Sequence, residues 1–384
     1  MALSHRILYV FVLCSVSVSS FAQRDTATIG RLLKTPLHYI VFKTAAPPVI
    51  DGNLNDPAWK TAAWTEYFSD IEGDIRPKPL YPTRVKMLWD DQNLYIAAEL
   101  EEPNIWAYTA HHDEIVFHDN DFEIFVNPDN NAKQYFEIEI NAIQTIFDLF
   151  LPKPYRNLGS PLVTWDLKGL RKAVRIDGTL NNAKDKDRRW TVEYAIPISS
   201  ISMGNDARMP IPGSLWRINF SRVEWDTDLK DGKYIRRMDS STHRLLPEHN
   251  WVWSPQGVIN MHFPERWGYL LFAGPAAESP TNTGSSAGSG EAAALFTLPF
   301  RELLKNKLWE VYYRQNLYYL SHGIYAGTTD QLNMDPVTSV DGKTTVLVIE
   351  ATAHTYKALL SSATTGDSWS IDPEGELENM EWMR

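Results

Sequence analysis

The chain has 384 residues, of which 43% are hydrophobic and 12% aromatic, enough material for two or three packed domains. That composition excludes a wholly disordered or collagen-like chain. Lys+Arg 37 against Asp+Glu 48 gives a net charge of −11, so no basic surface is expected for a phosphate backbone, and nucleic acid is excluded as an expected partner.

Residues 1–22 read as an export signal. His5 and Arg6 precede an apolar run from Ile7 to Val18, and Ser20-Phe21-Ala22 places small residues at the cleavage site, before Gln23. The run is too short to span a bilayer and no later stretch is longer, so no transmembrane helix is expected. The expected location is periplasmic, cell-surface or extracellular. Cys14, the single cysteine, falls within this segment, which leaves the exported chain without disulfide or thiolate chemistry.

From residue 39 to 272 the pattern is that of short strands separated by turns. Val85, Met87 and Trp89 alternate with polar residues, Asp90-Asp91-Gln92-Asn93 supplies a turn, and Leu94, Ile96, Ala98 and Leu100 alternate again, predicting a hairpin. Phe122, Ile124 and Val126, the loop Asn127 to Asn131, and Tyr135 to Ile140 predict a second. Further strands are expected at Trp165–Ile176, Trp190–Ile196, Trp216–Val223 and Trp267–Phe272. The fold class is therefore mainly β, an antiparallel, jelly-roll-like β-sandwich. Residues 273–293 are dominated by Gly, Ala, Ser, Pro and Thr and read as a flexible linker. In the last part, residues 294–384, apolar residues recur at three- and four-residue steps over Arg301–His322, predicting a helix that ends at Gly323. Strands are expected at Thr344–Ala353 and Trp369–Ile371, giving a small α+β module.

Period-two alternation places Glu137, Glu139 and Asn141 on the face of their strand opposite Phe136, Ile138 and Ile140, with Glu123 beside them on the neighbouring strand. Such a row reads either as a solvated outer face or as a groove whose carboxylates and amides hydrogen-bond sugar hydroxyls while aromatic rings stack on the C–H face. Trp106, Phe117, Trp225, Trp251, Trp253 and Trp267 are the candidate rings, most of them expected in the core. Trp225, where a strand meets the polar run Asp226–Gly232, is the preferred platform.

The run Val49-Ile50-Asp51-Gly52-Asn53-Leu54-Asn55-Asp56-Pro57-Ala58-Trp59, the hairpin Val85–Leu100, Asp121-Phe122-Glu123-Ile124-Phe125-Val126 and Pro264-Glu265-Arg266-Trp267-Gly268-Tyr269, in this order, are similar to the family 9 carbohydrate-binding modules and their relatives in secreted bacterial proteins. The resemblance implies a β-sandwich, of the kind also seen in dopamine-monooxygenase-type sugar and haem modules, that binds polysaccharides or their chain ends. Carried over position by position, it implies sugar contacts from Glu123, Glu139, Asn141 and Ser221, with clamp positions near Phe117 and Met261. Two departures stand out: the two-tryptophan clamp is not reproduced, and Glu139 replaces an arginine. The resemblance also implies structural calcium, for which Asp129 and Asn130 supply hard oxygen ligands, although the same residues read equally as turn formers. Asp56-Pro57 reads as a helix N-cap followed by proline.

The expected function is glycan binding in support of carbohydrate catabolism, beside a glycan-degrading enzyme system. Two alternatives stay open. Glu137 and Glu139, about 6.7 Å apart along a strand, match the carboxylate separation of inverting glycoside hydrolases. A haem module would use Met261 and His262, but adjacent strand residues point to opposite faces, so no haem is expected. Nucleotide, serine-nucleophile and zinc motifs are absent: there is no phosphate loop and no G-x-S-x-G, and His111-His112 have no i, i+4 partner.

Overall fold

In a computed structural model, residues 27–202, 209–275 and 296–380 are described. The expected signal segment, and the linker beyond residue 275, lie outside them. The chain divides into two units, Pro36–Thr297 and a second comprising Leu298–Arg384 with the residues up to Thr35.

The strands of the first unit are β1 (His38–Lys43), β2 (Ser69–Asp70), β3 (Thr83–Trp89), β4 (Asn93–Glu101), β5 (Asp121–Asn127), β6 (Tyr135–Asn141), β7 (Ile146–Leu151), β8 (Arg171–Asp177), β9 (Arg189–Pro197), β10 (Leu215–Glu224), β11 (Thr227–Lys230), β12 (Lys233–Arg236), β13 (His249–Val252) and β14 (Gly268–Pro275). Hydrogen bonds order them β7-β6-β5-β10-β14-β1-β3-β4-β9-β8, with β13 alongside the second half of β10, β2 beside β13, and β11–β12 a separate hairpin. Both predicted hairpins form. The expected strand over Trp165–Ile176 is confined to β8. Residues 165–170 instead run as a loop pinned by the Leu167 N–H donating to Asp148 Oδ2 at 2.5 Å. The pairing is antiparallel except at β1, which runs parallel to both neighbours, β14 and β3. This strand joins the two layers.

Phe122, Ile124, Ile138, Ile218 and Phe220 from the β5–β6–β10 layer share one core with Met87, Ile96, Val192 and Tyr194 from the β3–β4–β9 layer. Across the layers, the Phe122 and Tyr194 ring centroids lie 6.4 Å apart. Each such side chain contributes about 1.5–3 kcal/mol by leaving water, and the register that puts them inside sends the odd-numbered residues of β5, β6 and β10 to the opposite face. One end of the core is closed by Arg222, which is buried. Its guanidinium meets Glu102 at 2.7 Å and Glu224 at 2.8 Å and donates to the Glu101 carbonyl at 2.8 Å, so the buried charge is fully paired.

The N-terminal run Val49–Trp59 is held by one acid. Glu193 on β9 accepts hydrogen bonds from the Asp51 N–H (3.0 Å), the Gly52 N–H (2.6 Å) and the Trp59 indole (2.6 Å). Gly52 has φ +81°, and a Cβ there would lie 2.8 Å from Arg175 Cβ, so only glycine fits. Asp56 caps the following turn, its Oδ1 accepting from the Ala58 N–H at 2.8 Å with Pro57 at the first position, as the sequence predicts.

In the second unit α1 (Phe300–His322) ends at Gly323 in the left-handed conformation, φ 70°. Leu304, Leu308, Val311 and Tyr312 form its buried stripe. Gln315, also buried, exchanges two hydrogen bonds of 2.9 Å with the backbone of Ala326. The two strands expected here belong to a five-stranded antiparallel sheet, β15 (Val337–Val340), β16 (Lys343–Ala351), β17 (Tyr356–Ser361), β18 (Ser368–Ile371) and β19 (Leu377–Asn379).

Candidate functional site

The outward face of β5, β6 and β10 is not solvated. Glu123 on β5 stands directly opposite Glu139 on β6 and Ser221 on β10, and Phe125 stands opposite Glu137 and Asn219. Phe147 and Leu149 of β7 extend these two rows. Over them close the turn Val116–His118, the turn Tyr155–Asn157, and the segment Ile259–His262. Together they enclose a cavity of about 440 Å³ whose floor carries Glu123, Glu137 and Glu139 and whose walls include Phe117, Phe125, Phe147 and Tyr155. Ile115, Tyr155 and Ile259 leave apolar surface exposed at its edge. The solvated-face reading of the carboxylate row is thereby overturned: other parts of the same chain cover it.

Burial is the largest influence on every acid in this row. It pushes Glu123 up to about 7, an effect that the Ser221 hydroxyl moderates and the half-buried Glu248 carboxylate reinforces. Glu137 and Glu139 are raised well above the usual carboxylate range by burial and then by the Glu123 charge, and contact with the Glu139 carboxyl tempers the rise of Glu137. Asp121, two residues before Glu123 on the same face of β5, is raised by burial and by Glu123. Glu137 Oε2 and Asp121 Oδ2 are buried without a hydrogen-bond partner. Like charges placed directly across a strand pair are destabilising, and buried acceptors without donors cost about 1–3 kcal/mol each, so this arrangement is maintained against stability. Such a cluster in a cleft is a candidate functional site. Among the described residues lining the cavity none is Lys or Arg. The neighbouring Arg156 is turned away, paired with Glu265 at 2.9 Å and donating to the His262 carbonyl at 3.2 Å.

The expected site residues divide into two groups. Phe117 lines the cavity, and its N–H donates to Glu139 Oε2 at 3.2 Å. Glu123, Glu137 and Glu139 line it as well. Ser221 is buried beside Glu123, outside the lining. Asn141 is fully engaged: its amide donates to the Thr109 carbonyl (2.8 Å) and Asp119 (3.0 Å), while its oxygen accepts from the Ile143 and Thr145 N–H groups. It shapes the strand end and has no free group for a ligand. Trp225 is not a platform. Its indole N–H donates to the Phe117 carbonyl at 2.8 Å, Arg236 covers its ring at 4.8 Å, and it packs with Trp106, Val223 and Tyr234. Trp225 thus supports Phe117 from behind.

Met261 and His262 both line the cavity, because the segment that carries them is not a strand and strand alternation does not apply. His262 Nδ1 lies 3.0 Å from the Tyr135 hydroxyl, and burial, followed by the Arg156 charge, lowers its pKa to about 4, so the ring is neutral at pH 7. Tyr155, Phe147 and Asn250 are lining residues that sequence alternation did not single out. Phe147 and Tyr155 lie in a strand and a turn whose pairing was not read from the sequence.

The loop proposed for calcium does not fit the ion. Asn130 Oδ1 accepts from Arg217 Nε at 2.8 Å, which places a guanidinium against the would-be ligand. Asn127 organises the same loop, its oxygen accepting from the Asn131 and Ala132 N–H groups at 3.0 Å. Elsewhere His112, assigned no role from its spacing, meets Asp166 at 2.9 Å, with Asp113 and Asp148 within 4 Å, and its pKa is raised chiefly by the bond to Asp166.

Among solved structures, the chain resembles a protein from Bacteroides uniformis ATCC 8492 provisionally described as carbohydrate-binding, with 15% identity and a TM-score of 0.45 over 62% of this chain and 100% of that one. It also resembles a family 9 carbohydrate-binding module from Caldicellulosiruptor kristjanssonii in two complexes. The cellotriose complex gives 16% identity, a TM-score of 0.38 and coverage of 64% and 100%; the glucose complex gives 16%, 0.37, and 63% and 100%. None of the curated proteins compared matches the chain. The family described as Carbohydrate family 9 binding domain-like matches residues 50–244, from the Glu193-anchored run through β5, β6 and β10, and the chain belongs to that family.

Proposed function

We propose that the protein binds polysaccharide or oligosaccharide in the cavity over β5, β6 and β10, without cleaving it. The observation that carries this reading is the joining, in a chain of this family, of buried hydrogen-bonding carboxylates with aromatic walls at one concave site. Glu137 and Glu139 supply acceptors for sugar hydroxyls, or donors when protonated, while Phe117 and Met261 offer apolar surface to a sugar ring. The spacing of Glu137 and Glu139, about 6.7 Å, is shared by any strand with acids two residues apart and so carries no argument for hydrolysis. The apolar run Ile7–Val18 supports export, and glycan capture outside the cytoplasm would serve carbohydrate catabolism. The test is affinity electrophoresis of the protein through gels containing plant, algal and microbial polysaccharides, paired with a reducing-sugar assay. Retarded migration without sugar release is expected. Unchanged migration in every gel, or sugar release abolished by Glu139→Gln, would overturn it.

A further inference from the structure

We infer that the cavity over β5, β6 and β10 selects glycans bearing a protonated amine, that is, amino sugars, over neutral ones. The inference rests on the carbohydrate-binding reading of the same cavity. A neutral sugar presents hydroxyls, each a donor and an acceptor, and is met best by a mixed set of partners. Besides the amides of Asn250 and Asn260, the side chains that can bring charge to this cavity are acids. Glu123, Glu137 and Glu139 form its floor and Glu248 faces it, whereas no Lys or Arg lines it and His262 is neutral. An ammonium has three donors and no acceptor, and its charge lets the buried acids, which hold protons when no cation is bound, release them to solvent and accept.

Three further observations point the same way. Glu137 Oε2 is buried and has no hydrogen-bond partner, so one lone pair awaits a donor. Asp121, Glu123 and Glu139 each place a carboxyl oxygen within 4.8 Å of the others, close enough for one positive charge to lie against all three. Finally, Phe117, Phe125, Phe147 and Tyr155 supply ring faces, which attract cations in a desolvated site.

The experiment is isothermal titration calorimetry on the full chain, in chelator at about pH 6 and fixed ionic strength, where an amino sugar is protonated. Three β-1,4-linked trimers that differ only at C2, those of glucosamine, N-acetylglucosamine and glucose, serve as probes, with spermidine as a non-sugar amine. The glucosamine trimer is expected to bind at least about tenfold more tightly than either neutral trimer, the size of one charge-assisted hydrogen bond. Glu137→Gln and Glu139→Gln, checked for folding by circular dichroism, should each reduce that preference to about threefold or less. Neutral trimers binding as tightly as the amine, or amine binding that requires added calcium, would overturn the inference and leave the carbohydrate-binding reading standing. Spermidine binding as tightly as the glucosamine trimer would overturn the carbohydrate reading, and the amino-sugar inference with it. Binding of none of the probes would overturn the inference.

Discussion

Replacing Glu123 by Gln should stabilise the protein at neutral pH and leave it unchanged in acid. Glu123 is buried opposite Glu139, and burial raises its pKa from 4.5 to about 7. In the unfolded chain it ionises near 4.5, so between about pH 4.5 and 7 the native state holds a proton that the unfolded state has released, and stability falls as pH rises through that window. A shift of about 2.5 units at about 1.36 kcal/mol per unit corresponds to about 3 kcal/mol. The wild-type curve alone is not diagnostic, because His262 acts in the opposite sense. Its folded pKa is lowered to about 4, so its contribution is present above 6.5 and lost as pH falls toward 4. The difference between wild type and Glu123→Gln removes that term. Urea unfolding followed by tryptophan fluorescence should give nearly equal stabilities at about pH 4 and an advantage of up to about 3 kcal/mol for the variant at about pH 8. A difference independent of pH, or one that favours the wild type increasingly as pH rises, would refute the reasoning.

Other expectations follow from the same contacts. Glu193→Ala leaves the Asp51 and Gly52 N–H groups and the Trp59 indole without their acceptor, so urea unfolding should show a loss of about 3 kcal/mol or more, with Glu193→Gln losing less. Phe117→Ala, which removes a cavity wall, should weaken glycan binding about tenfold in titration calorimetry, whereas Trp225→Phe, behind that wall, should cost about 1 kcal/mol of stability and leave affinity within about twofold. Equal losses of affinity from the two would return Trp225 to the site. His112 gains its raised pKa from Asp166 on a half-exposed side chain; its contribution is present below pH 6.5 and fades as pH rises through the folded value. Removing it by His112→Gln should change stability in urea by less than about 1 kcal/mol at about pH 5.

Period-two alternation was sufficient to read the two hairpins and the face on which Glu123, Glu137 and Glu139 lie, because a strand's two faces are a local property. What covers that face is not local. Phe147, Tyr155 and the Ile259–His262 segment reach the cavity from β7, a turn and an irregular stretch more than 100 residues from β6, and no pattern within β6 announces them. For the same reason the choice between a solvated row and a buried groove could not be made from alternation. Trp225 shows the converse. Its position at a strand end beside a polar run suggested exposure, but its indole was committed to the Phe117 carbonyl by a contact 108 residues away. Asn141 was likewise placed on the correct face, and the backbone of its own turn then consumed its amide oxygen. The parallel placement of β1 follows from a long-range crossing that carries no signal in its own six residues.

Glycan binding by this protein is proposed to rest on the acids on the floor of this cavity. The most direct test is a crystal structure of the protein with a glycan that retards it in affinity electrophoresis. A sugar residue is expected within hydrogen-bond distance of Glu137 and Glu139, with its ring against Phe117. A sugar bound elsewhere on the molecule, with the cavity filled only by water, would contradict it.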